Sequence, residues 1–504
     1  MKALNRALNM EPNTRNLTVL FIASLLIRLA VFLFFILPNE YYKQPDSNDY
    51  HHSALSLGLG RGMRRLDNNR PTFWRTPGYP IYLSFFYKAF GIKRAPFSDN
   101  WPAQTAAIIF QIILGALIPL LIFFLALMLT KTLSIAWITA WICAIHLGFV
   151  LQDSYILTES LAIFFFIPFY IYFFKSFYLP GAKPQEKISS PNSWIKKIIL
   201  AALFLAAATW IRPMGHFLSI ASVIMILVLD SANWKIRLAK TALFLGIFFL
   251  LISPWYIRNY NITGKLFYCP MFGLYLNTFN APKIIRKTQK LPLGKSREML
   301  YAQAHKKAIK ELQIARAKGK TTIATELVHL NVALPVIKKY PFLFLKDWLT
   351  ECAKTTFDLY AYQLVDMAKN TYYYDDEEEF LFEKWRECLY KTQTPILTRI
   401  IVYLEILFEF FKWLGLLLGT FLFLLFPLLK RFNVSHDIKQ MGLLWLKTSP
   451  MIGAFVMMTG GFGYARLRLP VEALMIILSL TFWYWLLQKR KNYTHKNDKI
   501  PVKK

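Results

Sequence analysis

Two acidic residues three positions apart, Asp46 and Asp49, stand in Pro45-Asp46-Ser47-Asn48-Asp49-Tyr50, ahead of His51, His52 and the stretch Arg75-Thr76-Pro77-Gly78-Tyr79-Pro80. On a helix this spacing puts both carboxylates on one face, where each raises the pKa of the other and makes one a better proton acceptor. Asp46 also follows a proline and has an acid three residues on, which suits a helix N-cap. Both readings stand at this level. The adjacent histidines diverge on a helix and read as interfacial polar residues rather than a metal pair.

Further charged residues recur at the ends of apolar runs: Asp153, Glu159 in Leu157-Thr158-Glu159, Arg212 before Pro213, Arg258-Asn259-Tyr260, and Arg466 with Arg468. Arginine offers a planar fork of donors matched to phosphate oxygens. An ionisable group at membrane depth is a functional candidate. Each residue has a plainer reading as well. Glu159 suits a helix N-terminus beside a Thr158 cap, and Arg212, Arg258, Arg466 and Arg468 suit snorkelling interfacial anchors. Acids and arginines together describe a site where a proton is removed and an anion is held.

The elements that must position these residues are membrane helices. Hydrophobic residues make up 55% of the 504 and aromatics 16%, with a mean hydropathy of +0.35, too apolar for a soluble chain of this size. Lys and Arg number 60 against 29 acids, but many lie in short connections and in the C-terminal tail, as topology-setting charges do. No zinc-finger or RNA-binding signature accompanies them, so nucleic acid is not an expected partner. The four cysteines, Cys143, Cys269, Cys352 and Cys388, form no C-x-x-C pair. They read as free buried thiols, with Cys352 and Cys388 a pair to consider if their loop meets an oxidising compartment.

Apolar runs at 17–37, 103–129, 132–150, 155–178, 195–211, 213–230, 238–257, 396–428, 440–460 and 469–487 predict about ten spans of the roughly 30 Å hydrocarbon layer. The first reads as an uncleaved signal anchor. Residues 39–102 form a first outer loop with short amphipathic helices near 47–59 and 77–90, lying along the interface. The chain divides into an N-terminal membrane module (1–257), a mostly helical hydrophilic domain (258–395), a C-terminal membrane module (396–487) and a basic tail (488–504). The run Asp375 to Glu379 reads as a solvated surface. Starting from a cytoplasmic N-terminus, alternation puts the basic loops around Lys183 and Lys187, Lys235 and Arg237, and Lys430 and Arg431 inside with the tail. It puts every charged residue singled out above, and the hydrophilic domain, outside.

The ordered set resembles a known family. Asp46 to Tyr50 with Ala54 and Gly60-Arg61-Gly62, then Arg75 to Pro80, Leu157-Thr158-Glu159, Arg212-Pro213, Pro254 to Tyr260 and Arg466-x-Arg468-x-Pro470 resemble the polytopic C-type (GT-C) glycosyltransferases. Within them the set is most similar to the bacterial branch related to protein O-mannosyltransferases and the lipid A aminoarabinose transferase. That resemblance implies an all-α GT-C fold and inverting transfer of a monosaccharide from a polyprenyl-phosphate donor at the outer membrane face. The acceptor hydroxyl would belong to a glycan, lipid or protein; the bacterial character of the motifs favours an undecaprenyl carrier.

In that scheme Asp46, with Asp49 second, accepts the acceptor proton, and Glu159 orients the sugar or acceptor. Arg212, Arg258, Arg466 and Arg468 stabilise the leaving phosphate, with Arg75 and Asn259 as further binding residues. Tyr79 and Trp74 are sugar-stacking platforms or aromatic-belt residues. Cations in this role leave no expected need for a divalent metal or other cofactor. The rival readings are a flippase of lipid-linked sugar, disfavoured because no internal repeat is visible, and a surface-polysaccharide polymerase or ligase.

Overall fold

Long runs of Leu, Ile, Phe and Ala satisfy every backbone group inside a helix, the state that hydrocarbon demands. The computed structural model describes residues 12–66, 69–92, 101–177, 193–317, 326–361, 363–364, 396–429 and 436–497, with the side chains of 326, 426–429, 436–439 and 491–497 excepted. Among them the fold is helical, with no strand. The acidic run 375–379 and Cys388 lie outside the described residues; among those described, no disulfide joins Cys143, Cys269 and Cys352.

Ten stretches of helix follow the ten apolar runs: α1 (Thr14–Val31), α4 (Trp101–Thr130), the pair α5 (Leu133–Ile145) and α6 (Leu147–Asp153), α7 (Glu159–Lys175), α8 (Ser193–Ile211), α9 (Gly215–Leu229), α10 (Trp234–Thr263), α16 (Ile396–Leu429), α17 (His436–Met458) and α18 (Ala465–Asn497). Among the described residues, six are long and apolar enough to cross a membrane, or seven if α5 and α6, bent by 49° at His146, are one broken span. The short α7 and α9 pack among the longer helices. Apolar side chains such as Phe34, Val228, Leu250 and Phe421 remain exposed on the bundle, as a lipid-facing surface requires. The chain is an integral membrane protein.

Local chemistry sets the helix ends. Asn13 caps α1 by accepting the Asn16 N–H at 2.9 Å, and Asn233 caps α10 through the Ile236 N–H at 2.9 Å. α10 stops at Gly264, whose φ of 72° is the left-handed conformation of a glycine C-cap. It therefore runs past the expected boundary at 257 and carries Arg258 and Asn259 on its last turns.

The first loop contains the two expected helices, α2 (Ser47–Gly58) and α3 (Gly78–Ala89), packed on each other. After α10 come α11 (Met271–Tyr275), α12 (Ala281–Gln289), α13 (Leu293–Ala317), α14 (Glu326–Lys339) and α15 (Pro341–Phe357). They enclose a second, smaller core of Leu276, Ile284, Leu300, Val328 and Val332, separate from the membrane core.

Two junctions fix the loop onto the bundle. Ser47 donates its hydroxyl to the Ile156 carbonyl at 2.9 Å, and the Ile156 N–H reaches the Tyr42 carbonyl at 3.1 Å. This ties the start of α2 to the segment leading into α7. The Thr76 hydroxyl donates to the Ile211 carbonyl at 2.6 Å. Beside it, a Cβ on Gly78 would lie 2.6 Å from the Trp210 carbonyl oxygen, so only glycine lets α3 approach the end of α8 this closely.

Candidate active site

Those junctions bring α2, α3, α7 and α8 together at one end, where the start of α18 joins them through Arg466. Asp46 directly precedes α2 but makes no capping contact with it. Its Oδ1 instead accepts from Arg75 Nη2 at 2.7 Å and its Oδ2 from Arg466 Nη2 at 2.9 Å. The helix-cap reading is set aside: Asp46 bridges two guanidinium groups. Arg75 also donates to Asp49 Oδ2 from Nη2 at 2.9 Å and from Nε at 3.2 Å, and its guanidinium lies 5.0 Å from the centre of the Tyr50 ring.

Glu159, the first residue of α7, continues the series. Its Oε1 is 2.5 Å from Arg212 Nη1 and 3.6 Å from Arg466 Nε. Arg212 also donates to the Thr158 hydroxyl at 3.1 Å, and that hydroxyl donates to Glu159 Oε2 at 3.3 Å. Thr158 thus serves the ion pair and not the helix terminus. Three acids and three arginines alternate in one chain, Asp49, Arg75, Asp46, Arg466, Glu159 and Arg212.

At Asp46 the electrostatics run opposite to the rise expected beside a second acid. Burial alone would push the Asp46 carboxyl up, but Arg75 and Arg466 outweigh it and hold the group well below the usual carboxylate range. Arg75 stands between the two aspartates and cancels their repulsion. Asp46 is therefore ionised, the form a proton acceptor needs, and is quenched while both arginines hold it.

All of these charges except Asp49 line one cavity of about 120 Å³. Trp74, Met214, Met271, Phe272, Tyr275, Met458 and Phe462 supply its less polar wall. The cavity thus sets a charged floor of guanidinium and carboxylate groups against aromatic and thioether surface. It suits a ligand that joins an anionic group to an apolar part.

Several expected site residues stand elsewhere. Arg258 donates to the carbonyls of Thr72 at 3.0 Å and Met63 at 2.9 Å, with its guanidinium 4.5 Å from the Trp255 ring centre and 4.9 Å from that of Phe73. It pins the first loop to α10. Asn259 is buried and holds the carbonyls of Phe267 and Tyr268 at 3.0 and 3.1 Å. Tyr79 is buried with its hydroxyl on Gln111 at 3.1 Å, so it offers no stacking face; Trp74 does line the cavity. Asp153 pairs with Arg28 at 2.6 Å inside the bundle. His51 is buried against the Tyr87 hydroxyl at 2.7 Å and pushed down to about 3, chiefly by burial, while His52 is exposed.

Arg468 marks a second charged cluster that was not expected. It is fully buried and donates to Glu409 at 2.7 Å, to Glu472 at 2.8 Å and to the carbonyls of Thr355 and Asp358. Lys412 bridges the same two glutamates, and Glu405 accepts the N–H groups of Tyr360 and Ala361 at 2.6 and 2.8 Å. The signal was present in the sequence: Glu405, Glu409 and Lys412 interrupt an apolar run at the spacing of one helical face. Ligand atoms of His146, Glu409 and Glu472 lie within 4.8 Å of one another. Lys412 and Arg468 already occupy both carboxylates there and oppose a further cation.

Comparison with known proteins gives one family match. Residues 83–263 match the family model of dolichyl-phosphate-mannose-protein mannosyltransferases. The match covers residues 83–263 of the 504 and falls within the class that the motifs resemble, the polytopic GT-C glycosyltransferases. Comparison with curated proteins finds no match.

Among solved structures, the apo oligosaccharyltransferase of Archaeoglobus fulgidus aligns over 98% of this chain at 13% identity with a TM-score of 0.49, and 53% of that chain is covered. The archaeal oligosaccharyltransferase AglB from Archaeoglobus fulgidus, in complex with an inhibitory peptide and a dolichol-phosphate, aligns over 97% at 14% identity and TM-score 0.45, with 52% of that chain covered. ArnT from Cupriavidus metallidurans bound to undecaprenyl phosphate aligns over 93% at 12% identity and TM-score 0.35, with 78% of that chain covered. The chain spans about half the length of the archaeal proteins. Likenesses this distant assign no residue.

Proposed function

We propose that the protein moves a monosaccharide from a polyprenyl-phosphate donor to an acceptor hydroxyl, with inversion, at the extracytoplasmic membrane face. The observation that carries this reading is the convergence of Arg75, Arg212 and Arg466 on Asp46 and Glu159 in a single cavity that also has an apolar wall. Support for a lipid-phosphate donor comes from the matched family, whose description names one.

The donor phosphate takes Arg466 and Arg212 as partners, replacing part of their contact with Asp46 and Glu159 by charge-assisted bonds to its own oxygens. Asp46 then loses one of its two guanidinium partners and gains basicity only when donor is bound. The acceptor oxygen attacks the anomeric carbon as the bond from that carbon to the phosphate oxygen breaks. The acceptor proton passes to Asp46, and the bonding pair leaves with the polyprenyl phosphate. Arg466 and Arg212 stabilise the charge that grows on it. Glu159 holds Arg212 and Arg466 in register, and Trp74 offers an aromatic face to the sugar.

The termini are cytoplasmic in this reading, and the cavity opens outside. A single cysteine introduced at Asn48 is expected to react with an impermeant thiol reagent on intact cells; labelling only after lysis would reverse the orientation. Deletion in the host, followed by mass spectrometry of lipid A, glycoproteins and surface glycans, identifies the acceptor by the sugar that disappears. Loss of the sugar with the lipid-linked form accumulating on the cytoplasmic leaflet, and not on the outer one, would favour the flippase instead.

A further inference from the structure

Arg466 takes its position from a short segment, Gly463 to Ala465, at the start of α18, and that segment is held from outside the membrane bundle. Its three consecutive N–H groups each reach a side chain of α15 or the residue that ends it. Gly463 N–H donates to Glu351 Oε2 at 2.7 Å, Tyr464 N–H to Thr355 Oγ1 at 3.3 Å and Ala465 N–H to Asp358 Oδ2 at 3.0 Å. A helix leaves its first N–H groups without internal partners, and here one neighbouring helix supplies an acceptor for each.

The fit is close as well as polar. A Cβ on Gly463 would stand 2.1 Å from the Glu351 carbonyl oxygen, and one on Gly460 would stand 2.2 Å from the Trp348 ring. Asn280 holds the Gly460 carbonyl at 3.1 Å and Asp347 Oδ2 at 2.6 Å. Behind this contact, Lys283 of α12 donates to Glu351 Oε1 at 2.6 Å and lies 3.3 Å from Asp347. The hydrophilic helices α12 and α15 therefore grip the residues immediately before Arg466.

We propose that Glu351, Thr355 and Asp358 form a positioning clamp through which the hydrophilic domain sets Arg466 against Asp46 and Glu159. The clamp residues do not line the cavity; they act through the backbone that presents Arg466. The proposal rests on the reading of Arg466 as a holder of the donor phosphate, and it adds that movement of α15 tunes donor affinity without α15 touching the donor.

The test uses the full-length protein in nanodiscs with two readouts, amide hydrogen exchange of the 463–467 segment and affinity for undecaprenyl phosphate. Glu351→Ala is expected to speed exchange of the segment and to weaken prenyl-phosphate binding on the order of tenfold, the worth of a charge-assisted hydrogen bond, and Thr355→Val, which removes a neutral one, to do both to a smaller extent. Glu351→Gln and Thr355→Ser, which keep an acceptor, are expected to restore both. In an Arg466→Ala background the same substitutions are expected to change exchange but not affinity. Unchanged exchange in Glu351→Ala overturns the clamp. An affinity loss that is equally large without Arg466 overturns its action through that residue. Wild-type protein that binds no undecaprenyl phosphate contradicts the donor reading and with it the role of Arg466; the exchange arm, which needs no ligand, tells that failure from failure of the clamp.

Discussion

Arg466 Nη2 lies 2.9 Å from Asp46 Oδ2 although 420 positions separate the two residues in the chain. One guanidinium from the last helix thereby joins an acid of the first outer loop, and its Nε faces Glu159 of a third element. In the proposed mechanism, replacing it removes a phosphate holder and also the cation that quenches the base. Arg466→Ala is expected to lower transfer by about 10²–10³-fold, with Arg466→Lys retaining part of it because a point charge replaces the planar fork. Steady-state transfer of radiolabelled sugar checks this; equal rates for wild type and Arg466→Ala would remove the residue from the reaction.

The depressed pKa of Asp46 carries a sign. A carboxyl whose folded value lies below its unfolded value contributes stability at pH above the unfolded value, about 4, and the contribution is lost as pH falls through the folded value. Wild-type protein therefore keeps this contribution into the acid range. In Arg466→Ala or Arg75→Ala the folded value rises, so the apparent melting temperature begins to fall at higher pH. Thermal melts of purified protein between pH 3 and 7 measure the difference, and superimposable wild-type and variant pH profiles would contradict it.

The second charged cluster answers to stability rather than to donor binding. Arg468→Ala leaves buried Glu409 and Glu472 with Lys412 as their remaining lysine or arginine partner, beside the Trp413 N–H, the Tyr360 hydroxyl and His146, a break that costs about 3–5 kcal/mol. A large drop in melting temperature with prenyl-phosphate affinity retained in the folded fraction is expected. Affinity lost at unchanged stability would move Arg468 back to the site.

Gly78 tests the scaffold. A Cβ there meets the Trp210 carbonyl, so Gly78→Ala has to separate α3 from α8 and shift Arg75 and Thr76 with it. Transfer is expected to fall at least tenfold while the protein still inserts and purifies, and wild-type activity in this variant would show that the close approach does not position Arg75.

Much of this was legible in the sequence because apolar runs and the charges at their ends do not depend on distant neighbours. Asp46, Arg75, Glu159, Arg212 and Arg466 could be assigned to one end of the bundle by alternation alone. Rotation about each helix axis could not be read. Arg466 and Arg468 are two residues apart, which is about 200° around a helix; one faces the cavity and the other the buried glutamates. Arg258 was placed at the correct end of its helix but turns toward the first loop. Tyr79 sits in the same motif as Arg75, yet its hydroxyl is taken by Gln111. The low pKa of Asp46 depends on Arg75 and Arg466, whose approach only the folded chain defines.

The role of Asp46 is tested most directly by comparing wild-type and Asp46→Asn protein, in nanodiscs, for undecaprenyl-phosphate binding and for single-turnover sugar transfer. Asparagine keeps the shape and removes the proton acceptor, so binding is expected to persist while transfer falls by about 10²–10⁴-fold. Full transfer by Asp46→Asn would contradict the account.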